Sequence, residues 1–251
     1  MSEAIKGLLV PFLGTSIGAA AVLFVKRGKA VRLGGYLADA AAGIMAATSV
    51  FSLLLPAMEE AERSGAIPWM PAVIGFLAGV VLLALWDRVS SRIERTGRVA
   101  HSTRMLVLSV SLHNIPEGMA VGAAYAGLLS GSTTVTAMSA FALSLGIALQ
   151  NLPEGAIISL PLSASGVSKG KSLFYGVLSG ASEPIAGALT ILLSQFAVPA
   201  LPWLLSFAAG AMAYVTGFEL LPDTLLNRPR LGTLAVLFGF LLMTAMDVLL
   251  G

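Results

Sequence analysis

The sequence predicts an all-α fold, a polytopic membrane bundle of eight transmembrane helices with both termini extracytoplasmic. Three observations carry that expectation. Hydrophobic residues make up 57% of the 251-residue chain and charged residues 11%, against roughly 25% charged in a soluble domain. A span needs about 20 mostly apolar residues, and charge-free runs of that size occupy 7–25, 40–58 and 64–86, with longer ones beyond. Of the 15 lysines and arginines, 13 fall in alternate connections between such runs.

The first span, 5–25, carries its charge after the apolar run, at Lys26 and Arg27, which reads as an uncleaved helix with its N-terminus outside and not as a signal peptide. The second and third, 35–57 and 67–87, are separated by an outer loop holding Glu59, Glu60 and Glu62. The fourth, 104–127, and fifth, 134–162, turn about Gly131-Ser132-Thr133-Thr134. The sixth, 171–196, follows the polar linker 163–171, and Pro199 and Pro202 divide it from the seventh, 200–222; the eighth is 230–250. Lys26, Arg27, Lys29 and Arg32 lie between the first and second spans, and Arg88, Arg92, Arg95, Arg98 and Arg104 between the third and fourth. Lys169 and Lys171 precede the sixth, and Arg228 and Arg230 the eighth. Basic residues mark cytoplasmic loops, so these four connections face the cytoplasm. The chain is then one domain, 1–251, multi-pass in the cell membrane. No soluble domain is attached to the short loops, and the net charge of +2 suggests no nucleic-acid partner.

Chemistry must therefore take place inside the bilayer, where a mid-span ionisable residue costs about 2.5–3.5 kcal/mol on insertion scales and signals function. Glu117, Glu154 and Glu183 are such residues. His113-Asn114-Ile115-Pro116-Glu117-Gly118 in the fourth span is matched by Gln150-Asn151-Leu152-Pro153-Glu154-Gly155 in the fifth. Spacings of three and four put His113, Asn114 and Glu117 on one helical face, and Gln150, Asn151 and Glu154 on another. Side by side, the two faces converge on a coordination sphere for a hard or borderline divalent cation. With no cysteine in the chain, the metal must be held by oxygen or imidazole nitrogen. Pro116 and Pro153 remove backbone donors from Leu112 and Leu149 and should bend each helix there. Gly118 and Gly155 leave room for a neighbouring helix. Glu183, beside Pro184, adds a third carboxylate, and three carboxylates exceed the charge of one divalent cation, making room for a second ion or a proton.

These residues resemble the ZIP (ZRT/IRT-like) divalent metal transporters, in their GufA-like bacterial-type branch, along essentially the whole chain. The resemblance implies a secondary transporter that imports zinc, with iron, manganese or cadmium as further cargo, and no resident cofactor. It implies a binuclear site. One metal is held by His113, Glu117, Gln150 and Glu154, the other by Asn114, Glu117, Asn151, Glu154 and Glu183. Many members carry histidine where this chain has Gln150, and a histidine-rich third connection where this chain has only His101. The resemblance further implies an elevator movement of the first, fourth, fifth and sixth spans against the others, and a homodimer.

Two other classes use the same residues differently. An intramembrane metal-dependent hydrolase needs an open coordination position, but two histidines and no His-Glu-x-x-His make a poor fit. A proton or sodium antiporter uses the carboxylates and leaves the histidine and amides unexplained. The chain is thus expected not to be an enzyme. Asp39, Glu219, Asp223 and Asp247 read as snorkelling or capping residues near helix ends. Met45 and Ser52 are read as lining an outer route to the metal.

Overall fold

The computed structural model describes the backbone of residues 2–94, 99–131, 135–197 and 199–250. The side chains of 2, 27–31, 90–94, 99–110, 112, 113, 195, 197, 219 and 250 lie outside the described residues. Arg95, Arg98, His101 and the side chains of His113 and Glu219 are therefore named here only by sequence. Among the described residues there is no strand.

Apolar runs too long to leave their backbone polar groups unpaired in lipid become helices, which satisfy those groups internally. They are α1 (Ser2–Phe24), α2 (Arg27–Ala47), α3 (Leu55–Arg63), α4 (Trp69–Glu94), α5 (Val99–Leu129) and α6 (Ala137–Ala164). Then follow α7 (Lys169–Gly180), α8 (Ser182–Leu192), α9 (Ser194–Ala197), α10 (Leu201–Tyr214), α11 (Leu221–Asn227) and α12 (Leu231–Leu250). Among the described residues, six helical stretches are long and apolar enough to cross a membrane. They fall at the first, second, third, fifth, seventh and eighth expected spans.

Prolines shape the rest. α5 and α6 run uninterrupted through Pro116 and Pro153, but the expected sixth span breaks into α7 and α8. Pro184 cannot donate to the Gly180 carbonyl, and at Ala181 the chain tightens into a short turn, its N–H donating to Leu178 instead. Two further prolines produce wide turns. α2 and α3 are joined by a π-helical stretch, Thr48–Leu54, and α10 and α11 by another, Val215–Leu220. Each ends in Leu-Leu-Pro, at Leu54-Leu55-Pro56 and Leu220-Leu221-Pro222. The Leu55 and Leu221 N–H groups reach five residues back, to the carbonyls of Val50 and Thr216.

This continuity corrects one expectation. Glu59, Glu60 and Glu62 lie on helix α3 and not in a loop, because Pro56 sits where a helix tolerates it, in the first turn. The helix stops at Gly65, whose φ of +77° suits glycine.

The helices approach closely. A Cβ at Gly155 of α6 would meet the Thr15 carbonyl of α1, and one at Gly118 of α5 would meet the Glu183 carbonyl of α8. Both motif glycines thus serve neighbouring helices, as expected, and hold α1 and α8 against the motif-bearing pair. At the α7 end, Lys169 donates to the Leu23 and Val25 carbonyls at the end of α1, at 2.8 and 3.2 Å.

Asp39 corrects a second expectation. α2 begins at Arg27, so Asp39 lies well inside the helix and is fully buried. Arg228, from the turn between α11 and α12, donates to it through Nε at 2.7 Å and Nη2 at 2.9 Å, and the Thr224 hydroxyl donates at 2.6 Å. The same guanidinium holds Asp223. Asp247 accepts from the Ser52 hydroxyl at 2.7 Å, tying α12 to the first π-helical stretch. Removing one partner of a buried ion pair costs about 3–5 kcal/mol. Asp39→Ala is therefore expected to lower the melting temperature of the detergent-solubilised protein by about 6–20 °C, while Asp223→Ala, whose side chain is half exposed, shifts it far less; equal shifts would contradict this assignment.

Candidate functional site

The two motif faces meet in the interior of the bundle. Asn114, Gln150 and Asn151 are fully buried, Glu117 and Glu183 are 1% exposed, and Glu154 is half-buried. Such burial of acids and amides in an apolar bundle requires partners for each polar atom.

The carboxylates of Glu117 and Glu183 draw donors from within the group. Gln150 Nε2 donates to Glu117 Oε1 at 2.6 Å, linking α6 to α5. Asn114 Nδ2 donates to Glu183 Oε1 and Asn151 Nδ2 to Glu183 Oε2, each at 2.8 Å. Asn114 and Asn151, equivalent in their motifs, thus clamp one carboxylate from two helices. Glu117 and Glu183 both lie within electrostatic reach of Glu154. Six of the seven expected residues are therefore brought together; His113 is in α5, but its side chain lies outside the described residues.

α1 contributes what sequence reading missed. The buried Thr15 hydroxyl donates to Glu183 Oε1 at 3.0 Å, and the Pro11 carbonyl receives a long 3.4 Å contact from Asn151 Nδ2. A signal was present: Thr15 and Ser16 are the only polar side chains between Gly7 and Val25, and Ser16 satisfies itself on the Phe12 carbonyl. Met45 and Ser52 stand apart from this group; Met45 is buried in the main apolar core.

Once the amide N–H groups are assigned to the carboxylates, four buried oxygens find no donor among the described residues: Asn114 Oδ1, Glu117 Oε2, Gln150 Oε1 and Asn151 Oδ1. Acceptors left over beside mutually repelling carboxylates are suited to a cation, which accepts lone pairs and offsets negative charge together. The donor chemistry is oxygen-rich and suits hard to borderline divalent ions. Among the described residues no three carboxylate or imidazole side chains form a cluster of metal-holding geometry.

The family model described as ZIP zinc transporter matches residues 88–247, an interval that contains both motifs and Glu183. The chain belongs to the ZIP family. Zinc transporter ZIP11 of Xenopus tropicalis is 32% identical to it, the comparison covering 99% of this chain and 97% of the relative. Zinc transporter ZIPB of Bordetella bronchiseptica is 34% identical over 99% of this chain and 81% of the relative. Zinc transporter GufA of Myxococcus xanthus is 32% identical over 80% and 81%. With its long apolar helices, this member of a transporter family is a multi-pass membrane protein and not an enzyme.

The pairing of Gln150 with Glu117 is open to a direct check. Gln150→Leu strands a buried carboxylate at a cost of about 1–3 kcal/mol, so the metal-free protein is expected to melt about 2–12 °C lower. Gln150→Leu with Glu117→Leu, which removes both partners, should recover most of that loss. No recovery in the double variant would show that the two side chains are not partners.

Proposed function

We propose that the protein imports zinc into the cytoplasm, binding it within the bilayer between the paired motifs. The observation that supports this reading best is the set of oxygens on Asn114, Glu117, Gln150 and Asn151 that find no donor among the described residues where the motifs meet. Family membership supports the cargo, since the relatives above are named zinc transporters. Iron, manganese and cadmium fit the same oxygen-rich donors.

In this reading the site is binuclear. His113, Glu117, Gln150 and Glu154 hold one ion. Asn114, Glu117, Asn151, Glu154 and Glu183 hold the other, with Glu117 and Glu154 shared. Amide N–H groups rest on the carboxylates of Glu117 and Glu183. Metal entry turns amide oxygens toward the ion and releases those N–H groups from the acids. Carboxylates and imidazole bind only when deprotonated, so loading releases protons and weakens as pH falls. Gln150 offers an amide oxygen where imidazole would bind zinc more tightly, which broadens the range of ions accepted.

Eight spans in one domain, 1–251, with both termini outside the cell membrane, complete the topology; the basic connections support it. Transport proceeds by an elevator movement, in which α1 and α5–α8 carry the site past α2–α4 and α10–α12. Supporting this division, α1 packs chiefly on α6 and α7, and α5 on α8, while α4 packs on α10 and α12 on α2. α2 against α6 then forms much of the sliding seam. The carrier works as a homodimer.

Zinc uptake into proteoliposomes tests this. Glu117→Ala is expected to reduce uptake at least about 100-fold, since a shared charged ligand removed from a buried site costs several kcal/mol. Gln150→His should raise the preference for zinc over manganese. Unchanged zinc uptake in Glu117→Ala, or proton flux independent of metal, would overturn the proposal.

A further inference from the structure

α1 ends at Phe24 and α2 starts at Arg27, yet α1 packs chiefly on α6 and α7, and α2 on α12 and α6. Between the end of one and the start of the other lies a groove of about 590 Å³, lined by Phe24, Val25, Lys26, Arg32, Leu33 and Tyr36. The helices that form it fix its depth. The stretch of α1 long and apolar enough to cross a membrane stops at Phe24, and that of α2 starts at Arg32. The groove therefore lies where the hydrocarbon layer meets the headgroups. Phe24, 85% exposed at the end of its apolar stretch, leaves the groove open to lipid.

Its chemistry is divided as a phospholipid's is. Phe24, Val25 and Leu33 supply an apolar wall, Lys26 and Arg32 supply two exposed cations, and Tyr36, one turn on from Arg32, adds a phenol. No acid balances those cations. The chain carries no Asp or Glu between Glu3 and Asp39, and Asp39 is buried and held by Arg228. Among the described residues neither Lys26 nor Arg32 has an ion-pair partner. Lys169 donates to the Leu23 and Val25 carbonyls, which adds a further positive charge at this end and holds the α1 edge of the groove in place. Two unbalanced cations beside an apolar wall at headgroup depth call for an anion that carries acyl chains.

We propose that this groove binds one anionic phospholipid, with its phosphate between Lys26 and Arg32 and its upper acyl chains against Phe24, Val25 and Leu33. The lipid fills the gap that α1 and α2 leave and joins the two helices through its headgroup. A lysine or arginine near an anionic lipid surface strengthens binding about fivefold, so the pair supplies about thirtyfold. A zwitterionic headgroup carries its own cation and gains far less. The binding stands on the groove itself; only its assignment to the cytoplasmic leaflet rests on the topology proposed above.

Native mass spectrometry of the full chain in neutral detergent, titrated with dioleoyl phosphatidylglycerol or dioleoyl phosphatidylcholine, tests this. The wild type is expected to retain one phosphatidylglycerol about tenfold or more tightly than phosphatidylcholine. Lys26→Gln with Arg32→Gln, at two exposed positions, should weaken phosphatidylglycerol about thirtyfold and leave phosphatidylcholine within about twofold. Lys26→Arg with Arg32→Lys keeps both charges and should stay within about threefold of wild type. Lys171→Gln with Arg230→Gln removes the same charge from exposed positions outside the groove and should also stay within about threefold. Equal weakening by the two neutralised pairs, or no preference for phosphatidylglycerol, would overturn the site. So would displacement of the lipid by an equal concentration of glycerol 3-phosphate, which would make the occupant a soluble anion. The leaflet is read separately. The chain has no cysteine, so Lys171→Cys provides a single thiol, expected to resist an impermeant maleimide added outside intact cells. Labelling from outside would overturn the topology and the cytoplasmic assignment, whereas retention in detergent does not depend on sidedness.

Discussion

A carboxylate 1% exposed in an apolar bundle persists only while donors surround it, and at Glu183 that requirement sets the arrangement of four helices. α1, α5 and α6 each present one donor to it, and α8 carries it in a first turn created by the break before Pro184. Those donors reach only if the backbones nearly touch. Gly118 and Gly155 allow this, one against α8 and the other against α1. Motif glycines and motif polar side chains are therefore two parts of one constraint: the buried polar group needs four helices at one point, and the glycines let them come there.

Much of this was legible in sequence because the bilayer restricts what a chain can do. Long charge-free runs have to be helices, and an acid inside one has to be useful or absent. Spacings of three and four then put the polar residues of each motif on one face. What escaped sequence reading lacked such strict alternatives. Thr15 is a small polar residue in a long apolar run, and small residues there also serve simple packing; only the direction of its hydroxyl distinguishes it. Asp39 looked terminal because the second span was begun at 35. With α2 starting at Arg27 it is interior, and its partner Arg228 lies 189 residues away. The Leu-Leu-Pro repeats were visible, but a proline predicts a bend, a break or a wide turn with equal force. Pro116, Pro56 and Pro184 illustrate helix continuity, a π-helical turn and a break in one chain.

Away from the site, the second and seventh spans share a construction. Both carry a π-helical stretch ended by Leu-Leu-Pro, and both are tied to α12 or its preceding turn, through Ser52 and Asp247 in one case and through Thr224, Asp39 and Arg228 in the other. Fixed polar ties here contrast with the Glu183 group, where every donor among the described residues is a neutral amide or hydroxyl. A guanidinium clamped on a buried carboxylate resists rearrangement. An amide can present nitrogen to an acid in one state and oxygen to a cation in another.

That exchange of roles by Asn114, Gln150 and Asn151 is tested most directly by diffraction from zinc-loaded crystals, with anomalous data at the zinc edge. The expected result is zinc between α5 and α6, about 2.0–2.2 Å from Glu117 and Glu154 oxygens, with the Asn114 and Asn151 N–H groups no longer on Glu183. Zinc found only at outer acids such as Glu59 and Glu62, with the amides still donating to Glu183 and Glu117, would contradict it.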